Sequence, residues 1–158
     1  MKYDSTSDTI LGDKLMLFAT APKEGEPAGT EILPVAFGTS CGIEMSADTI
    51  ETSNKMSGNW KEFLTGQLGW TVSSESLISK TAGHLSFKTL KKMMSERTPI
   101  DIAICLSEKA ADGDVTKGAE WVKGKAVITA LSMTAENGAL CTSSCSLQGT
   151  GPLEDGDA

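Results

Sequence analysis

Apolar and polar positions alternate with a period of two along most of the chain, the pattern of strands with one covered face. Residues 14–20 (KLMLFAT) open with a first apolar strand. Residues 32–37 form a short apolar piece broken by Pro34, which suits an edge strand or an entry segment. Over 39–46, Cys41, Ile43 and Met45 share one face, and Ser40, Gly42, Glu44 and Ser46 the other. Over 69–76, Trp70, Val72, Ser74 and Ser76 oppose Thr71, Ser73 and Glu75. Ile100, Ile102, Ile104 and Leu106 alternate with Asp101, Ala103 and Cys105. The run 121–134 sets Lys125, Val127, Thr129, Leu131 and Met133 against Ala126, Ile128, Ala130 and Ser132. Glu136-Asn137-Gly138 supplies an Asn-Gly hairpin turn. In the partner strand, 139–149, Cys141, Ser143, Cys145 and Leu147 alternate with Leu140, Thr142, Ser144, Ser146 and Gln148.

One stretch has helical spacing. Phe87, Leu90 and Met94 recur at i, i+3 and i+7, with Met93 beside them. Ser86 can cap this helix, predicted within 84–97, and Pro99 stops it. Six or seven strands and one helix predict a mainly β fold, an antiparallel β-sandwich or barrel with one flanking α-helix. Segments 21–30, 47–59 and 107–119 read as polar loops, and 47–59 is long for a hairpin connection. The organisation expected is an N-terminal arm (1–13), one domain (14–151) and a polar C-terminal tail (152–158).

Composition narrows the function. The 158 residues suffice for one core, and a net charge of −7 argues against a basic nucleic-acid-binding surface. Ser and Thr number 17 each while aromatics are 5%, which favours pleated, half-exposed strands. The N-terminus carries no apolar signal region, and no run approaches about 18 apolar residues, so the expectation is folding in the cytoplasm with no membrane span.

Catalytic and metal-binding chemistry is scarce. His84, the one histidine, has no acid or nucleophile in an evident pairing, and no phosphate-binding or dinucleotide fingerprint occurs. Cys141 and Cys145, four apart on a strand, lie too far apart to bond, and all four cysteines read as buried, small apolar side chains. Asp112-Gly113-Asp114 lacks the rest of a calcium loop and reads, with Glu108, as solvated acids. No catalytic residue, metal or cofactor is expected. Trp60, Trp70 and Trp121 could stack on a ligand, which would make the chain a β-sandwich binding module. Core or rim anchors are the commoner use of such rings. Long polar loops and strand faces coated in small hydroxyls suit a chain that works by assembling.

Two segments carry a resemblance. TSCGIEMSADTIETSNKMSGNWKEFLTGQLGWTVSSESL (39–77) and GKAVITALSMTAENGALCTSSCSLQGTGPL (124–153) resemble the major tail protein family of long-tailed phages, the siphophage tail tube subunits. The resemblance implies a tail tube fold without enzymatic activity. It implies six copies per ring, sheets joined into an inner barrel, and rings stacked into a channel through which DNA passes as cargo. Implied partners are the chain itself, a tape measure protein, a tail terminator and baseplate or distal tail proteins. The place implied is a virion tail assembled in the host cytoplasm. Related tubes occur in contractile tails, gene transfer agents and injection particles.

By this resemblance the loop 47–59, with Asp48, Thr49, Ile50, Glu51, Thr52, Ser53, Asn54 and Lys55, is the candidate contact between subunits and rings. The arm 1–13 and the tail after Gly151 would add contacts. Trp60, Trp70, Gly149 and Gly151 belong to the motifs. The candidates for the channel lining are Glu44, Ser73, Glu75, Thr142, Ser144 and Ser146, since hydroxyls and carboxylates repel or release phosphates. Residues 88–97 carry a net +3, leaving −10 elsewhere, which agrees with a basic helix outside and an acidic lining inside. The placement of Lys123 and Lys125 decides whether such a lining is acidic all round.

Overall fold

The computed structural model describes residues 15–21, 31–35, 38–78, 85, 87–109 and 115–156, with side chains omitted at 21, 31, 32, 107–109 and 115–120. The arm 1–13, the loop 22–30, His84, Ser86, Asp112 and Asp114 lie outside the described residues.

Seven strands and one helix follow one another as β1 (Leu15–Ala21), β2 (Glu31–Pro34), β3 (Gly38–Glu51), β4 (Phe63–Leu77), α1 (Phe87–Glu96), β5 (Ile100–Lys109), β6 (Val115–Thr134) and β7 (Thr142–Asp155). The strands form a single sheet in the order β2-β1-β5-β6-β7-β4-β3. Every neighbouring pair is antiparallel. The expected piece carrying Pro34 is the edge strand β2, whose last residue is the proline, which has no backbone N–H to donate. The sheet curls. β1 and β3, far apart in strand order, come into contact, and the Cys41 thiol donates to the Leu15 carbonyl at 3.7 Å.

Curling places the larger core on one side of the sheet, while Phe18, Ala103 and Cys105, with Met16, form a smaller buried cluster on the other side of β1 and β5. Leu17, Ala19, Trp70, Val72, Ile100, Ile102, Ile104, Ala126, Cys145 and Leu147 pack in the larger core, and Leu90 and Met93 of α1 close it. The buried helical positions are therefore Leu90 and Met93, while Met94 is exposed, so the apolar seam runs i, i+3 from Leu90 rather than to i+7.

Several strands exceed their apolar patterns. Residues 47–51 and 63–68 form a ladder, so the expected loop 47–59 shrinks to a turn over 52–62 at the tip of a long β3–β4 hairpin. β5 continues to Lys109 and β6 begins at Val115, leaving only 110–114 of the predicted loop 107–119 between them. β7 runs through Pro152 to Asp155, with Glu154 opposite Lys123 and Asp155 opposite Val122, so 152–155 belong to the sheet rather than to a tail. Each miss has one cause. Backbone ladder bonds form whether or not a side-chain face is buried, whereas alternation reports only burial.

A bulge corrects the reading of β6. The register slips between Ile128 and Ala130, and the Thr129 hydroxyl donates to the Ser146 carbonyl at 3.2 Å. Ala126 and Ile128 therefore share the core side with Leu131, where unbroken alternation would separate them.

Candidate functional site

Cross-strand pairs point to the same face of a sheet. Ser40, Glu75, Ser144 and Ser132 fall in one row across β3, β4, β7 and β6; Gly42, Ser73, Ser146 and Ala130 form the next. Glu44, Thr71 and Gln148 form a third, and Leu77, Thr142 and Thr134 line up at the end. The structure thus brings Glu44, Ser73, Glu75, Thr142, Ser144 and Ser146 onto one exposed face, opposite the core. Ser132 and Ser144 hydrogen-bond across it at 2.5 Å. Lys125 pairs with Thr150 and Asp101, and Lys123 pairs with Ala103 two residues along, so both lysines fall on this side of the sheet at its β6 margin and the face is not acidic throughout. A shallow groove of about 440 Å³ runs where Gly42 has no side chain, between Glu44, Ser73, Thr129 and Ser146.

The hairpin is the second surface. Ile50 pairs with Leu64 and Glu51 with Phe63, so adjacent pairs face opposite sides and each side of the arm carries a large apolar residue. Ile50, Leu64, Phe63 and Leu68 are each more than half exposed in the single chain, and at the tip Met56 is 93% and Trp60 84% exposed. Asp48 sits in a bulge against Gly66, where a Cβ would come within 3.2 Å of the Asp48 carbonyl oxygen. The tip is held by its own polar groups. The Thr52 N–H donates to the Glu62 carbonyl (2.8 Å), and the Glu62 N–H donates to the Ser53 hydroxyl (2.9 Å). The Asn54 N–H donates to the Ser57 hydroxyl (3.0 Å), which donates to the Glu62 carboxylate (2.9 Å). Gly58, at φ 64°, takes the left-handed position that the turn needs. Thr49 and Lys55 are exposed with the rest.

The glycine motifs serve packing. The buried Trp70 ring lies over Gly149, where a Cβ would overlap the ring atoms Cδ2 and Cε2, and beside Gly124, where one would stand 2.7 Å from Cζ2. Its indole N–H donates to the Gly151 carbonyl at 3.1 Å, and Gly151 takes φ 80°. Trp70 is therefore closed to any ligand, while Trp60 stands at the hairpin tip and Trp121 on β6 is 44% exposed.

Among the described residues no three His, Cys, Asp or Glu gather as metal donors, and no helix is long and apolar enough to cross a membrane. Cys105 and Cys145 are buried and Cys41 half-buried, but Cys141 is exposed, because it precedes the first β7 residue instead of lying in the strand. Burial pushes the Cys145 thiol up to about 11, so it stays protonated at neutral pH. In the folded chain at pH 8, a maleimide is expected to modify Cys141 and spare Cys145. Peptide mapping of the labelled protein checks this, and equal labelling of the two would contradict the burial.

The family model described as phage tail tube protein matches residues 12–155. The chain belongs to the phage tail tube protein family. Solved structures share the fold. The tail of an empty gene transfer agent particle, from helical refinement with C6 symmetry, superposes with a TM-score of 0.69 at 15% identity, over 93% of this chain and 98% of that one. The SPP1 tail tube gives 0.66 at 14% identity, over 94% and 80%. The sheath–tube complex of the extracellular contractile injection system PVC, in the extended state, gives 0.59 at 14% identity, over 98% and 99%. No curated protein matches in sequence. The protein is thus a tail tube subunit, a structural component of a phage or phage-like tail. The alternative of a binding module built on three tryptophans finds no support in the fold neighbours, and it loses Trp70 to the core.

Proposed function

We propose that tail tube subunits of this chain join side by side into a six-membered ring whose polar sheet face lines a channel for DNA. The observation that carries this is the exposed face of small hydroxyls and carboxylates on β3, β4, β7 and β6, backed by the larger core. Among the described residues, β3 pairs on one edge only, and β6 beyond Ala126 pairs only with β7. These two unpaired edges flank a four-stranded unit. An even count of alternating strands lets each β3 meet a neighbour's β6 antiparallel, so the ring closes with no parallel joint. Closure also removes the open edges that would otherwise recruit other chains.

The lining suits a passing polyanion. Glu44 and Glu75 repel phosphates, and the Ser and Thr hydroxyls between them hold water without offering a strong anchor. Lys125 lies at the margin, opposite Asp101. α1 packs on the core side, so its basic residues Lys88, Lys91 and Lys92 face away from the channel. The hairpin, with Asp48, Thr49, Ile50, Glu51, Thr52, Ser53, Asn54 and Lys55, makes the contact between rings, because its Ile50, Phe63, Leu64 and Leu68 side chains are exposed until another copy covers them. The role is structural, without a catalytic step. DNA and a tape measure protein pass through, a terminator and baseplate proteins close the ends, and assembly takes place in the host cytoplasm.

Negative-stain microscopy of the assembled protein is expected to show hollow tubes. In those tubes a cysteine at Ser144→Cys should be shielded from a polymer-sized maleimide, while one at Lys92→Cys on α1 stays reactive. Tubes in which both react equally would overturn the lining.

A further inference from the structure

The described sheet carries exposed apolar side chains at both of its ends. At one end is the hairpin tip, with Met56 and Trp60. At the other, the β6–β7 turn follows Thr134, which pairs with Thr142 and, across β7, with Leu77. There Met133 is 55% and Leu140 74% exposed, beside the exposed Cys141. Between the two ends, the core-side apolar positions of β4 and β7 (Val72, Cys145 and Leu147) are buried.

We infer that the β6–β7 turn end, built on Met133 and Leu140, is the socket that receives the hairpin tip of the next subunit along the tube. This rests on the ring-and-channel reading above. A heterologous contact repeated along an axis must set one end of a subunit against the opposite end of the next copy, and here both ends are apolar patches on an acidic chain. Each patch loses water by meeting the other, whereas two like ends never meet in a head-to-tail stack. The socket turn is pinned by Gly138 at φ 81° and by the Ala139 N–H donating to the Glu136 carbonyl at 3.2 Å, so it presents Leu140 from a closed turn.

Cys141 provides the reporter. Tubes assembled from Met56→Cys subunits are treated with a short bismaleimide and run on a denaturing gel. Dimers that appear only in tubes, and vanish when Cys141→Ser is added, support the socket. Tubes without dimers, or dimers that persist with Cys141→Ser, overturn it. The double variant Met133→Asp/Leu140→Asp, at exposed positions, should fold as the parent does and form rings that fail to stack. Its critical concentration should rise at least about tenfold; stacking at the parent's concentration contradicts the socket and leaves the ring reading standing. A parent chain that forms neither rings nor tubes sinks the ring reading itself.

Discussion

Replacing Gly149 by alanine is expected to destabilise the tail tube subunit by about 2–4 kcal/mol, from overpacking and a lost indole hydrogen bond. The added methyl would overlap the Trp70 ring. The ring cannot slide aside, because Gly124 marks a second close approach at its far edge and the Nε1–H is tied to the Gly151 carbonyl. Either the indole leaves its slot and breaks that bond, or β6 and β7 separate where Ala126 pairs with Gly149. Urea unfolding of the unassembled chain measures the loss. Gly138→Ala is the control. It meets open space but sits at φ 81°, so it carries only the left-handed strain of about 1–2 kcal/mol. Should Gly149→Ala cost no more than the ±0.5 kcal/mol typical of surface changes, the Trp70 slot does not have the packing described.

Trp70 also shows what the sequence makes legible. Its apolar alternation with Val72 places it correctly on the core face, and the Asn-Gly turn correctly places the β6–β7 hairpin. The six lining candidates came to one face because period two fixes facing once a strand is recognised. Where a ladder shifts register, that rule fails, and so Thr129 hides the change of side along β6. The distal hairpin was illegible for another reason. Residues 47–51 and 63–68 bury neither face within one chain, so their side chains show no contrast between covered and wet sides. The signal that remained was Ile50 among polar neighbours and the pair Phe63-Leu64, large apolar residues with no use in a solvated loop. Cys141 is exposed, against the expectation of a buried thiol, because it precedes β7, which begins at Thr142.

The double variant Ile50→Asp/Leu64→Asp is expected to abolish tube formation while leaving the monomer folded. The two side chains pair across the hairpin, and each is more than half exposed, so their loss removes a cross-strand contact of about 0.2–1 kcal/mol from the single chain. In the assembled tube the same positions would lie against another copy. Two carboxylates would then be facing each other across one ladder step and losing water together, at a cost of several kcal/mol per ion. In the proposed stack every subunit of a ring would carry the defect and a ring would bind the next through all its copies at once, so weakening each contact would remove the multivalent gain as well. Sedimentation should find the variant in the supernatant at concentrations where the parent pellets as tubes, with circular dichroism and urea midpoint close to the parent's. Ser73→Asp makes the comparison sharp. It adds a charge of the same sign on the polar face, where water remains, and should leave assembly intact. If Ile50→Asp/Leu64→Asp polymerises like the parent while Ser73→Asp does not, the contact and lining surfaces have been assigned the wrong way round.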